Sequence, residues 1–474
     1  MTETSVEARV SEARPTPADL VMFIPYACVQ LQAPFSVSVL KIVQDEYVSK
    51  TEEKSKKSAK GKSAISHQTS HAQHDSQEKE DESMTTGGAL FGDPNEVVVT
   101  VVFDLGGRLV ELQFNKTPAV PRLLIKIIAL CIPYQTCLSR ITMRWVPLKG
   151  EIIYEMAKFL PQSHVTEVLL ENTHVPQHNY YQLFEFAHLR RVSLIRCALT
   201  DDDCVCIAVK LVHPQPASKT LTLLSLASNQ ISDKGACALA EALRSNRMLQ
   251  YLNLSGNRIN DDGATSILQS LMQFALTYDE LLTKRERMME HMRLKQEVFQ
   301  RFVRELSAAM KEKSPDDGSR SVRRKTATGR SKKTSTTCIP LGVYHTSIMD
   351  AITMKADTMA SELVGTLSDP FNVDETDTRD RQVFSLGNTV LCYLNLSFNN
   401  LGYETVAALV RVLSYQQRTV RKSGPGILRI VIEGNRMPAS CSEYSIIDEL
   451  LEQAMAARMS KPPRRVERGK SRIK

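Results

Sequence analysis

Two stretches of the chain repeat one alternation of apolar and polar positions, 28 residues apart. LTLLSLASNQISDKGACALAEAL begins at Leu221 and LQYLNLSGNRINDDGATSILQSL at Leu249. Leu221, Leu224, Leu226, Asn229, Ile231, Gly235, Leu239 and Leu243 recur as Leu249, Leu252, Leu254, Asn257, Ile259, Gly263, Ile267 and Leu271. The first part of each copy alternates with period two and predicts a strand. The tail, with apolar residues four apart, predicts a helix. A fixed period of this length marks a repeat protein whose unit is strand, Asn turn, Gly and helix. The leucines point inward and are buried only between neighbouring units, so no unit is stable alone. The Asn amide is suited to satisfy backbone groups at the turn, and the Gly starts the helix where a side chain would crowd it.

Weaker copies surround these two. Leu109, Leu112 and Phe114 fit the template, as do Leu138, Ile141, Met143 and Leu148. Val165, Val168, Leu170 and Val175 give a third copy, and Leu189, Val192, Leu194, Cys197 and Leu199 a fourth, with Cys197 in the Asn position. After a long interruption, Leu391, Leu394, Leu396, Asn399, Leu401, Leu409 and Leu413 resume the pattern with Thr405 in the Gly position; Ile427, Ile430, Ile432, Asn435 and Met437 close it. Eight repeats are therefore expected, starting near residues 109, 138, 165, 189, 221, 249, 391 and 427. The units resemble the leucine-rich repeats of ribonuclease inhibitor. That resemblance implies an α/β fold, a horseshoe-shaped leucine-rich-repeat solenoid with a parallel sheet inside the curve, here carrying a long helical and disordered insertion.

The remaining segments read differently. Residues 1–20 suggest a disordered leader and residues 49–88, nearly devoid of large apolar side chains, a disordered tract. Residues 21–48 read as a strand segment, with VMFIPYACVQLQ and FSVSVLKIV separated by Pro34. Residues 96–275 are expected to hold an N-terminal cap and six repeats. The cap would be a hairpin about Leu105-Gly106-Gly107, its first strand laid antiparallel on the first repeat to cover the sheet edge. Residues 385–457 should hold the last two repeats and a closing helix.

Between them, residues 276–311 lack Pro and Gly and predict one projecting helix roughly 54 Å long. Leu281, Met288, Met292, Phe299, Phe302 and Leu306 give it an apolar seam, broken by Arg285 and Lys295, that is a candidate interface for another helix. Residues 312–380 then read as a basic, flexible insertion with a returning helix over 346–366, its segment 314–338 being a loop.

Charge sharpens this picture. The formal net charge is +7, but seven basic residues and no acid lie within 320–333, and eight basic residues with one acid within 458–474, the expected disordered tail. The basic character thus belongs to two tracts, suited to acidic protein tails or an anionic surface. Neither tract interleaves aromatics, which counts against nucleic acid; a plain solvated linker is the alternative. The ten cysteines include no C-x-x-C pair and read as reduced thiols of a cytosolic protein. No apolar run suggests a membrane span or secretion signal. There is no phosphate-loop, HExxH or GxSxG motif, so no catalytic residue, cofactor, metal or small-molecule substrate is expected. Asp201–Asp203 and Asp261–Asp262 read as acids that cap the first turn of their own helices.

The strand register gives candidate binding residues on the sheet face away from the helices. The third strand positions are Glu111, Arg140, Glu167, Arg191, Leu223, Tyr251, Tyr393 and Arg429. In the first half this is either an internal charge ladder or a charged docking surface. In the second half Leu223, Tyr251 and Tyr393, beside Asn253 and Asn395 and flanked by Arg191 and Arg429, form a stripe suited to a protein partner.

Taken together, the degenerate early repeats, LSLASNQISDKGACALAEAL, LNLSGNRINDDGA, the exit FALTYDELLTKRERMM, the return VFSLGNTVLCYLNLSFNNL and the late GPGILRIVIEGN resemble the leucine-rich-repeat-containing protein 71 family. The resemblance covers roughly residues 90–310 and 380–455. It implies a non-enzymatic structural or docking protein of the cytoskeleton, in the axoneme of a motile cilium or flagellum. Axonemal proteins would be its partners, with tubulin acidic tails meeting the basic tracts. The alternative is a soluble adaptor or regulator of the GTPase-regulator or inhibitor-like kind.

Overall fold

The computed structural model describes residues 14–44, 96–185, 188–313, 341–419, 424–438 and 440–459. The expected disordered tract 49–88, the loop 314–338, the basic tract 320–333, residues 1–13 of the leader and nearly all of the tail lie outside them, while the end of the expected disordered leader, at Asp19 and Leu20, starts a helix. Two compact units are present: one combines residues up to Phe274 with those from Leu386 onward, the other is Ala275–Ser385.

The first unit is built on a ten-stranded sheet, in the order β1 (Ser36–Val43), β2 (Glu96–Phe103), β3 (Leu109–Asn115), β4 (Arg140–Arg144), β5 (Glu167–Glu171), β6 (Arg191–Ile195), β7 (Leu223–Ser225), β8 (Tyr251–Asn253), β12 (Tyr393–Asn395) and β13 (Arg429–Val431). From β3 to β13 every pair is parallel, joining the eight expected repeats in one register. The repeat leucines form a continuous core, with Leu224, Leu226, Leu252, Leu254, Leu394 and Leu396 fully buried.

The N-terminal reading needs correction. VMFIPYACVQLQ is not a strand: Leu20–Gln30 is a helix (α1), started by Asp19, whose carboxylate accepts from the Met22 N–H at 3.3 Å. Leu20, Ile24, Ala27 and Cys28 are its buried side chains, a helical spacing masked in the sequence by apolar residues on every face. β2 does lie antiparallel to β3, but it is not the sheet edge. β1 pairs with it in parallel over eight residues and takes that place.

Connections between the sheet strands run through α2 (Arg122–Cys131), α3 (Gly150–Phe159), α4 (Asp201–Leu211), α5 (Ala217–Thr220), α6 (Asp233–Ser245), α7 (Asp261–Gln269) and α10 (Tyr403–Arg418), with α11 (Ser442–Met459) after the last strand. The third repeat has only a 3-10 turn, Tyr180–Phe184. Its Tyr180 is fully buried, the hydroxyl donating to the Thr173 carbonyl at 2.8 Å and accepting from the Val175 N–H at 2.9 Å.

Two ladders tie the repeats together. At the turn, the Asn229 Nδ2 donates to the carbonyls of Leu194 and Leu226, while its Oδ1 accepts from the N–H groups of Cys197 and Leu199. Asn257, Asn399 and Asn435 repeat the arrangement one strand at a time. At the helix starts, the acids work across repeats. Asp203 caps its own helix through Thr200. Asp201, however, accepts from Ser232 and Gly235 at the start of the next helix, and Asp233 from Asn260 and Gly263. The expectation that all these acids cap their own first turn is corrected. It also explains the repeat glycines: a Cβ on Gly235 would stand 2.7 Å from Asp201 Oδ1, and one on Gly263 2.5 Å from Asp233 Oδ1.

The pattern leaves and rejoins in phase. Asn246 accepts from the N–H groups of Met248 and Leu249 before β8, and Asn388 accepts from those of Val390 and Leu391 before β12.

The inserted unit follows the short strand β9 (Phe274–Ala275) and contains α8 (Tyr278–Lys313), α9 (Leu341–Val364), a 3-10 turn at Val373–Glu375 and the antiparallel hairpin β10 (Thr376–Arg379) and β11 (Gln382–Ser385). Two expectations change here. The returning helix expected over 346–366 is present as α9, but the end of the segment read as flexible, 312–380, is ordered into β10, the first strand of the hairpin. And α8 packs against α9, which buries Ile352, Ala356 and Ala360 at a spacing of four. The seam is also different. Leu281, Phe299, Phe302 and Leu306 are half-buried, but Met288 and Met292 are 53% and 56% exposed. Arg287, His291 and Lys295 take the half-buried positions instead. Arg287 meets Asp369 at 2.6 Å and Lys295 meets Asp357 at 3.1 Å. Ion pairing lets charged residues stand on the inner stripe, so hydrophobicity alone could not locate it.

Candidate protein-binding face

Along each strand, side chains alternate between the core and the opposite, open face of the sheet. The pairing sets Glu111, Arg140, Glu167, Arg191, Leu223, Tyr251, Tyr393 and Arg429 side by side as one row. The next row toward the strand ends is Gln113, Thr142, Leu169, Ser193, Ser225, Asn253, Asn395 and Val431.

The first half of the face is satisfied within itself. Arg140 Nε lies 2.8 Å from Glu167 and its Nη1 3.7 Å from Glu111, which also accepts from the Thr142 hydroxyl at 2.5 Å. Arg144 meets Glu171 at 2.8 Å. These partly exposed pairs are each worth at most about 1 kcal/mol. Their effect is to leave little free charge to offer, so the internal-ladder reading describes this half.

The second half differs. The Tyr251 and Tyr393 rings stack with centroids 4.1 Å apart and planes 6° from parallel. The Arg429 guanidinium lies 5.7 Å from the far face of that stack, at the Tyr393 ring. Leu223 adjoins Tyr251 from β7. Burial, and then the hydrogen bond to the Tyr393 hydroxyl, push the Tyr251 phenol up to about 12. Arg191 and Arg429 are exposed and make no ion pair among the described residues. Glu167, the strand neighbour of Arg191, is held by Arg140.

The second row adds hydrogen-bond donors. Asn253 Oδ1 accepts from the Ser255 N–H at 3.0 Å, and Asn395 Oδ1 from Ser397, which orients both side chains. Their amide nitrogens donate to nothing among the described residues. Sequence reading missed Ser225 between them and Ser193: it is only 5% exposed, and its hydroxyl has no partner. A serine carries no pattern signal in the sequence that separates an engaged hydroxyl from an orphaned one.

Among the described residues no group of three or more His, Cys, Asp or Glu is placed to hold a metal ion. The Asp203 carboxylate is taken by Thr200 and by His178, whose Nδ1 lies 2.9 Å away, and Asp201 by Ser232 and Gly235. No described helix is long and apolar enough to cross a membrane.

A parallel sheet of strands joined through helices, with an Asn ladder at its turns, defines a leucine-rich-repeat protein, a class whose repeats are typically non-catalytic and take protein partners. A family model described as leucine-rich repeat matches residues 217–240, 245–268 and 387–410, on both sides of the inserted unit. Comparison with curated proteins returns no match.

Proposed function

We propose that the chain is a non-enzymatic docking protein that holds a protein partner on the open face from β6 to β13, as a component of the axoneme of a motile cilium or flagellum. The observation that carries the docking role is the stripe of Leu223 and the stacked Tyr251 and Tyr393, bounded by Arg191 and Arg429 and backed by the Asn253 and Asn395 amides. Aromatic side chains held rigid by stacking contribute large contact area at low entropic cost, as interface anchors do. The axonemal assignment rests on the resemblance in order of repeats, exit and return to the leucine-rich-repeat-containing protein 71 family. Partner contacts through the basic tracts, with tubulin acidic tails among them, and through the inserted helices belong to the same proposal.

The test is localisation of the tagged chain in a flagellated cell before and after detergent and salt extraction. Retention on the stripped axoneme, released by high salt, is the expected result. A diffuse signal lost with detergent would favour the soluble adaptor instead.

A further inference from the structure

We infer that the partner presents an extended acidic segment, laid across the strands from β6 to β13 with carboxylates on Arg191 and Arg429. The inference rests on the docking reading above and adds the partner's chemistry.

Three features point the same way. First, the two guanidinium groups bound the stripe at its ends. Four strand spacings separate them, roughly 19 Å, a span that about six extended residues cover. Among the described residues from β6 to β13, the acid on the open face is Glu433, which lies beyond the end of β13, four residues from Arg429 and roughly 13 Å away if the chain stays extended. The adjoining rim adds exposed Arg196, Arg258 and Arg436. Second, among the described residues, the side-chain groups between the arginines that make no hydrogen bond include the Asn253 and Asn395 amide nitrogens and the buried Ser225 hydroxyl, all of which can donate. A buried hydroxyl without a partner costs free energy that an incoming acceptor recovers. Carboxylate and backbone carbonyl oxygens are the acceptors an acidic peptide supplies. Third, the tyrosine faces are already used, one against the other and the next toward Arg429. The stacked pair itself is therefore not the open aromatic platform on which nucleic-acid bases stack.

The experiment uses the full chain and a fluorescein-labelled ten-residue glutamate peptide, followed by anisotropy, with the glutamine peptide of equal length as control. Selective binding of the glutamate peptide is expected, weakening as salt rises. The double variant R191Q/R429Q should lose at least tenfold, and N253A/N395A several-fold with little change in salt dependence. Replacing the seven basic residues of 320–333 by Ala should leave the face-dependent binding intact. Loss in the tract variant with none in R191Q/R429Q would overturn the inference, as would stronger binding of a labelled oligothymidylate lost in the same face variants.

A second arm separates this from the docking reading itself, by measuring axonemal retention of R191Q/R429Q and of L223K/Y251K. Release of L223K/Y251K alone, with no glutamate binding, would remove the acidic partner and keep the docking face. Release of neither would remove both. Circular dichroism melting of each variant, expected to match the parent, excludes unfolding as the cause.

Discussion

Asp261 holds Thr405 across 144 positions of sequence: one carboxylate oxygen accepts from the Thr405 N–H at 3.1 Å and from its hydroxyl at 2.5 Å. The same oxygen accepts from the Gly402 N–H at 2.9 Å. This is the relay of Asp201 and Asp233 carried over the inserted unit, with a Thr in the place of the repeat Gly. There the hydroxyl bonds the acid that would otherwise exclude a side chain. D261A leaves the helix start at Tyr403 without its cap and should cost about 1–2 kcal/mol, the usual price of a lost N-cap. The shift in the urea midpoint measures it, and T405A should shift the midpoint less.

Asn257 serves two repeats at once, donating to the Leu226 and Leu254 carbonyls and accepting from the Ile231 N–H. N257A strands these buried groups and should destabilise by about 3 kcal/mol. Hydrogen exchange at the Ile231 amide should accelerate in parallel. An unchanged exchange rate would mean that water replaces the ladder.

Tyr251 should ionise late. Its phenol is raised to about 12 by burial and by Tyr393, against about 10 for an unperturbed tyrosine. The folded state therefore keeps its proton longer than the unfolded chain does. The stability this contributes is full below pH 10 and is lost as pH climbs from 10 to 12. Ultraviolet titration of the phenolates should show a group near pH 12 that Y251F removes.

Within the inserted unit, the Arg287–Asp369 pair has side chains only 16% and 3% exposed. Asp369 also accepts from the Phe371 N–H at 2.8 Å. D369A leaves Arg287 charged in a half-dry site and should cost about 3–5 kcal/mol. Protease cleavage should then rise within 275–385 and not in the repeats.

The cysteines should divide by burial. Burial raises the Cys204 thiol well above its ordinary range and Cys131 to about 12. Cys206 is exposed on the same helix as Cys204. Alkylation at pH 8 should therefore mark Cys206 early and Cys204 only with unfolding. Early modification of Cys204 would show that α4 opens.

The sequence alone determined the repeat unit, its eight strand positions and the row from Glu111 to Arg429, because a strand's period of two and an in-phase leucine template fix the register. It could not reveal what depends on partners far along the chain. One column shows why. Lys116, Trp145, Asn172, Arg196, Ser228, Gly256, Phe398 and Gly434 all turn with positive φ, although only two are glycines. In the first seven, each N–H donates to a carbonyl at the end of the next strand, which holds a conformation that local preference opposes. The same holds for α1, whose helix emerges from packing, and for the inner stripe of α8, where Asp357 and Asp369 make charged positions acceptable. At the binding face, residue identities were legible, but satisfaction was not. Only the folded arrangement pairs Arg140 with Glu167 while leaving Arg191, Arg429 and the Ser225 hydroxyl unmatched, because a hydrogen bond or ion pair is decided by distance, and sequence carries distance only where a period repeats.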